Sequence, residues 1–249
     1  MIKAQDLCKH YGDVEAVKGI SFEIPEGAVV GLLGPNGAGK TTTIRLLTTF
    51  LPPTSGTATV AGYDIKKQPA EVRKHIGYLP ETPPLYPEMR VDEYVTFVAK
   101  LKGVGRGSLG HAVEKALTRC SLTDVAHKLC SQLSKGYRQR VGLAQAIVHE
   151  PKVIILDEPT SGLDPAQIIE IRQLISELKG EHTVVLSTHI LSEVSESCSE
   201  LLVIADGSIA LSGTIAELTA EQSLEQLFLQ AVFKRKQHAA AQEQKLAQG

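Results

Sequence analysis

The sequence predicts an α/β protein: a mainly parallel sheet, an N-terminal antiparallel β subdomain and an inserted α-helical subdomain. Three observations predict it. Short β-type runs divided by glycine and proline turns open the chain. Apolar residues at helical spacing then fill a block from about 85 to 150. After that block strands and helices alternate, and the strands are apolar throughout, as in a parallel sheet covered on both faces.

Taken in order, Ile2 to Leu7, Val14 to Phe22 and Ala28 to Leu33 read as strands. The turns Tyr11-Gly12-Asp13 and Pro25-Glu26-Gly27 divide them. A glycine-rich loop follows, then a helix from about Lys40 to Leu47. Gly56 to Ala61 is another β-type piece, stopped at Gly62-Tyr63-Asp64. In the middle block Val91 to Leu101, Leu109 to Cys120, Leu122 to Lys128 and Gln139 to Val148 carry helical spacing. The stretch Gly103-Val104-Gly105-Arg106-Gly107 is a loop between two of these helices. Val153 to Leu156 is a continuous apolar strand ending in Asp157. Ala166 to Leu178 is a helix, Thr183 to Ser187 a strand, Leu191 to Ser197 a helix and Leu201 to Ala205 a strand. The main domain is expected over 1–220, followed by a C-terminal helix and a basic polar tail over 221–249. After Phe233 the tail has four basic residues and little to bury, so it reads as a frayed or solvated segment before it reads as a lipid contact.

Composition narrows the function. Of 249 residues, 43% are hydrophobic, ample for a core, and 22% are charged. A net charge of -2 argues against a nucleic-acid coat, and 4% aromatics without Trp leave no platform for stacking single strands. No nucleic-acid partner is expected. Cys8, Cys120, Cys130 and Cys198 form no C-x-x-C pair, so they read as reduced, buried thiols of a cytosolic chain. The opening residues hold no apolar signal segment. No apolar run approaches the roughly 20 residues of a membrane span.

Gly34-Pro35-Asn36-Gly37-Ala38-Gly39-Lys40-Thr41 matches G-x-x-x-x-G-K-[ST] in full, between a strand and a helix. Glycines let the backbone wrap phosphate oxygens, and the helix after them adds its positive end. Lys40 is expected to bridge the β- and γ-phosphates, Thr41 to ligate Mg²⁺, and Thr42 to join the nucleotide contacts. A glycine turn that binds nothing is the plain alternative; the flanking strand and helix argue against it. The core is then that of a P-loop NTPase. Val153-Ile154-Ile155-Leu156-Asp157-Glu158 supplies an apolar strand delivering two carboxylates. Asp157 is placed for the Mg²⁺ shell and Glu158 as general base toward water. No N-K-x-D motif occurs, which counts against a GTPase.

At these residues the chain resembles the ATP-binding cassette family. Leu133-Ser134-Lys135-Gly136-Tyr137-Arg138-Gln139-Arg140 is similar to the family signature, commonest as L-S-G-G-Q, with Lys135 and Tyr137 departing from it. Ser134 and Gly136 keep the two positions that the resemblance sets against phosphate. The resemblance implies a head-to-tail homodimer, the signature of one copy closing on the ATP of the other. Ser161-Gly162-Leu163-Asp164-Pro165 resembles the D-loop, and also reads as a helix cap followed by Pro at the first helical position. Ser187-Thr188-His189 resembles the switch histidine segment, which gives His189 the γ-phosphate and a hold on Glu158. Tyr11 resembles the adenine-stacking aromatic. Ile76-Gly77-Tyr78-Leu79-Pro80-Glu81 resembles the Q-loop with Glu81 in place of the usual Gln. A carboxylate there is a stronger hard-cation ligand but offers no donor when ionised.

Glu81, Leu85-Tyr86-Pro87 and Val91 to Leu101 are similar to ATPases of ABC-2-type exporters, including gliding-motility, drug and polysaccharide branches. The likeness covers about residues 2 to 220. It implies an Mg·ATP-hydrolysing subunit on the cytoplasmic face of a membrane, powering a separately encoded multi-span permease. Two other readings are a soluble cassette ATPase acting on nucleic acid or ribosomes, and a cassette that binds ATP without turnover. The single cassette without zinc cysteines or heptads disfavours the first, and Glu158 with His189 disfavours the second.

Overall fold

A computed structural model describes residues 1–233 and 235 of the chain. The tail expected after Phe233 lies outside these residues, Arg235 apart. The chain opens with β1 (Ile2–Tyr11), β2 (Val14–Ile24), β3 (Val29–Leu33) and α1 (Lys40–Leu47). Next come β4 (Ser55–Val60), β5 (Tyr63–Asp64), α2 (Pro69–His75) and β6 (Ile76–Leu79). Three longer helices follow, α3 (Val91–Leu101), α4 (Leu109–Arg119) and α5 (Lys135–Ile147). The alternating part is β7 (Val153–Asp157), α6 (Pro165–Glu177), β8 (Thr183–Thr188), α7 (Leu191–Ser197), β9 (Glu200–Ala205), β10 (Ser208–Thr214) and α8 (Ile215–Leu218).

Two sheets result. The first has the order β2-β1-β4-β5 and is antiparallel throughout. The second has the order β10-β9-β3-β8-β7-β6, with only β10 running against its neighbour. Every residue of β3, β7 and β8 is buried, because helices or the first sheet cover both faces. The period of two along these strands divides the core. Ile154 and Leu156 join the cluster under α3, α4 and α5. Val153 and Ile155, one residue out of phase, join the cluster that holds Ile44 of α1 and Leu7 of β1. Each such Val, Leu or Ile contributes about 1.5–3 kcal/mol by leaving water. The backbone over 224–233 is helical, and its Leu224 and Phe228 pack with Leu201 and Val203.

Four differences from the sequence reading have physical causes. β1 continues past Leu7 to Tyr11. Asp6, at φ +46°, bulges so that Gln5 and Asp6 both face outward, which breaks the alternation that marks a strand. Leu122 to Lys128 is not a helix. Leu122 and Val125 are buried, but one 3₁₀ turn over Thr123–Val125 is enough to place them. The helix expected from Gln139 starts at Lys135, where Ser134 caps it. Cys120 and Cys130 are buried as expected, whereas Cys8 and Cys198 are half-buried; all four are free. Elements α2, β6, β10 and α8 are short and carried no clear period.

α5 lies unusually close to β6. A Cβ on Gly77 would overlap the Ala146 carbonyl oxygen and stand 2.8 Å from its carbon. Gly142, on the face of α5 toward Leu79 and Pro83, leaves room only for hydrogen. The Gln139 side chain also donates from Nε2 to the Glu81 carbonyl at 3.1 Å. The helix that Ser134 caps is thereby seated against the strand that ends near Glu81.

Candidate active site

β3 delivers the phosphate loop to the carboxyl edge of the parallel sheet, where α/β sites form. Gly39 has φ +106°, and a Cβ there would stand 2.6 Å from the Ala16 carbonyl oxygen of β2. Only glycine permits both the turn and that approach. A Cβ on Gly34 would overlap the Ile204 carbonyl. The loop is braced further by Gly207, whose N–H donates to the Ala38 carbonyl at 2.9 Å, while Lys18 N–H donates to the Gly207 carbonyl at 2.7 Å. Lys40 is buried, with Nζ donating to the carbonyls of Gly34 (2.8 Å) and Pro35 (3.3 Å) and 3.6 Å from Glu158 Oε1.

Beside the loop lies a cavity of about 470 Å³. Asn36 to Thr42 line it, with Ala16, Glu81, Glu158, Ser161 and His189. The ends of β3, β6, β7 and β8 thus bring residues far apart in sequence to one wall. At the end of β7, Asp157 is 2% exposed and its Oδ1 has no hydrogen-bond partner. Burial pushes its carboxyl above the usual range, opposed by the Ser187 and Thr41 hydroxyls and the Lys40 ammonium, while the Glu81 carboxylate pushes the same way as burial. A buried, unpartnered carboxylate oxygen beside a threonine hydroxyl fits a hard divalent cation. Among the described residues no cluster of three His, Cys, Asp or Glu could hold a metal alone. Mg²⁺ suits such a place, because it keeps waters and substrate phosphates in its shell.

Glu158 has φ +50°, a conformation that costs a non-glycine residue about 1–3 kcal/mol and persists only where neighbours enforce it. Its N–H donates to the Ser187 carbonyl at 2.9 Å, and its carbonyl accepts from Ser161 N–H at 3.1 Å. His189, exposed at the end of β8, has Nδ1 2.8 Å from Glu158 Oε2. The carboxylate therefore stands between an ammonium and an imidazole at the cavity wall.

Of the expected residues, Gly34, Pro35 and Asp157 adjoin that wall without lining it, and Tyr11, Ser134 and Gly136 stand apart from it. Tyr11, 45% exposed at the end of β1, carries Lys9 Nζ 5.4 Å from its ring centre. Ser134 caps α5, its Oγ accepting from Tyr137 N–H at 3.4 Å. Gly136 is packed so that a Cβ would meet Gln167 at 2.6 Å. Asp164 caps α6 by accepting from Gln167 N–H at 3.0 Å, with Pro165 first in the helix, as the spacing implied. The sequence reading missed Ala16 and Ser187. Ala16 reaches the loop only because the two sheets meet, and Ser187, whose buried hydroxyl lies beside Asp157, reads in sequence as an ordinary strand residue.

The family described as ABC transporter matches this chain over residues 17–161. An uncharacterized ABC transporter ATP-binding protein of Bacillus subtilis, YxlF, is 41% identical over 89% of this chain and 74% of its own length. The bacitracin transport ATP-binding protein BcrA of Enterococcus faecalis is 38% identical over 88% of this chain and 70% of its own. A solved dimeric cassette, MJ0796, in a post-hydrolysis state with ADP and Pi, superposes with a TM-score of 0.79 at 26% identity, over 86% of this chain and 99% of its own. With the loop, the paired carboxylates and the histidine assembled on one sheet edge, the chain belongs to the ABC transporter family, as an ATP-binding, ATP-hydrolysing subunit.

Proposed function

We propose that this chain hydrolyses Mg·ATP as a head-to-tail dimer and powers a separately encoded multi-span permease of the ABC-2 exporter type at the cytoplasmic face of the membrane. The observation that carries the reading is the contact between Glu158 Oε2 and His189 Nδ1 at 2.8 Å, across a cavity that Lys40 also enters. The exporter assignment is supported by BcrA, named for bacitracin transport, and by the Q-loop and signature forms. Among the described residues no helix is long and apolar enough to cross a membrane, which suits a subunit that acts through a partner. The domain responsible spans 1–220, with its helical subdomain at about 85–150, followed by the C-terminal helix and basic polar tail read over 221–249.

Residue roles follow from placement. Backbone N–H groups of the loop from Gly34 to Thr42, Pro35 excepted, cradle the phosphates, and Lys40 leaves its two carbonyls to bridge the β- and γ-phosphates. Thr41, Asp157 and Glu81 supply oxygen to Mg²⁺, which when bound neutralises charge on the phosphates. Glu158 accepts the proton of the attacking water, and His189 fixes the carboxylate and meets the γ-phosphate. Tyr11 lies against adenine. Ser134 and Gly136 sit at the N-terminus of α5, where a helix end favours anions. They stand outside their own cavity wall, so they serve the nucleotide of the second copy. Purified Glu158→Gln should lose turnover and accumulate as an ATP-bound dimer on gel filtration. Retained turnover, or a monomer at saturating ATP, overturns the reading. Co-purification with ribosomes in place of a multi-span protein would favour the soluble alternative.

A further inference from the structure

Behind the cavity wall lies a carboxylate that none of the roles above uses. Glu193, in the first turn of α7, is 1% exposed, and among the described residues it makes no ion pair. A buried charge without a cation is costly unless hydrogen bonds hold it. Two do. Thr160 donates from Oγ1 to Glu193 Oε1, and Thr188 donates from Oγ1 to Oε2 at 2.7 Å. Both threonines are themselves buried.

The positions of those threonines give the contact its meaning. Thr160 is two residues after Glu158, and Thr188 is one before His189. The Thr188 hydroxyl also accepts from Ile190 N–H at 3.0 Å, so it shapes the turn on which His189 stands. The Thr160 carbonyl accepts from Leu163 N–H at 3.1 Å, which closes the turn after Glu158. Followed through space, the contacts make a ring: Glu158, Thr160, Glu193, Thr188, His189 and back to Glu158 at 2.8 Å. Glu158 sits in this ring at φ +50°, a backbone conformation its neighbours must enforce.

We propose that Glu193 is a positioning residue for hydrolysis, its buried carboxylate tying the Thr160 and Thr188 hydroxyls together so that Glu158 and His189 keep their register. The proposal rests on the assignment of Glu158 as base. Glu193 lines no part of the nucleotide cavity; it acts through the two threonines. Because Glu193 and the two threonines line no part of the nucleotide cavity, loosening them should slow the chemical step and leave ATP affinity alone.

The test uses the full chain with Thr160→Val and Thr188→Val, which keep shape and remove one hydroxyl each, and with Glu193→Gln. Thr160→Ser and Thr188→Ser restore the hydroxyl, and Glu158→Gln is the control. A small misplacement of a base costs up to about 100-fold, so each Val variant should lose about 10- to 100-fold in kcat with KM for ATP within about twofold. The Ser variants should recover to within about threefold of wild type. Should Glu193→Gln fail to fold, the threonine variants decide. The proposal is overturned if the Val variants turn over at the wild-type rate, if KM rises in step with the loss of kcat, or if serine rescues nothing. An inert Glu158→Gln beside fully active Val variants removes the clamp alone. An active Glu158→Gln removes the base assignment, and the clamp falls with it.

Discussion

Gly77→Ala tests whether the seat of α5 on β6 is as tight as the backbone places it. The new methyl would overlap the Ala146 carbonyl oxygen and stand 2.8 Å from its carbon, against about 3.4 Å for ordinary contact. Both groups belong to backbone, so no side-chain rotation relieves the clash; α5 or β6 must move. Overpacking of this kind costs about 1–3 kcal/mol, and a backbone–backbone clash belongs at the upper end, about 3 kcal/mol. For a chain of this length each kcal/mol lowers Tm by about 2–4 °C, giving a fall of about 6–12 °C. Gly110→Ala is the control: it lies exposed in α4 with no atom within 4 Å of the added carbon. It should gain about 0.5–1 kcal/mol and melt slightly above wild type. Thermal melting followed by far-ultraviolet circular dichroism reads both. A Gly77→Ala protein melting within about 2 °C of wild type would refute the reasoning. So would equal losses from the two substitutions.

Asp157→Asn should raise the melting temperature of the nucleotide-free protein at neutral pH, because it removes a buried, unpartnered charge, and should abolish the extra stability that Mg·ATP confers; melting with and without Mg·ATP checks both. Glu81→Gln should raise the Mg²⁺ concentration for half-maximal ATPase activity, measured by titration at fixed ATP, since a hard cation loses a carboxylate at the cavity wall. His149 is pushed down to about 4 by burial, then by the Lys102 ammonium, while its Nε2 lies 3.0 Å from the Ile76 carbonyl. Its folded value lies below its unfolded one, so its contribution is complete above about pH 6.5 and is lost as pH falls through 4, at most about 3 kcal/mol. Urea unfolding across that window should show a slope in wild type that flattens in His149→Gln.

Local patterns carried the legible part of this molecule. Gly34 to Thr41 declared itself because phosphate binding needs fixed residue types at fixed spacing, and β7 declared itself by four apolar residues before two acids. α1 and α7 fall where the sequence puts them, and α3 where its apolar spacing puts it. The reading of β1 stops at Leu7 because the bulge at Asp6 hides the rest of the strand from any test based on alternation. β6 went unread because four residues, one of them glycine, make no pattern; its identity comes from pairing with β7. The site divides the same way. Motif residues were visible, whereas Ala16, Ser187 and Glu193 act through neighbours distant in sequence. Their residue types say nothing until the strands are laid side by side.

The bracing of the phosphate loop has a consequence for how fast nucleotide is captured. Ala16 behind Gly39 and Gly207 beside Ala38 hold the loop in shape from two separate segments of chain. Fixing a backbone residue costs about 1–2 kcal/mol of entropy, so an eight-residue loop ordered only on contact would tax each binding event by about 10 kcal/mol. Folding has already absorbed that cost. Capture then requires Lys40 to exchange two carbonyls for phosphate oxygens, with no reordering of the loop backbone. Encounter, and not loop closure, should set the association rate.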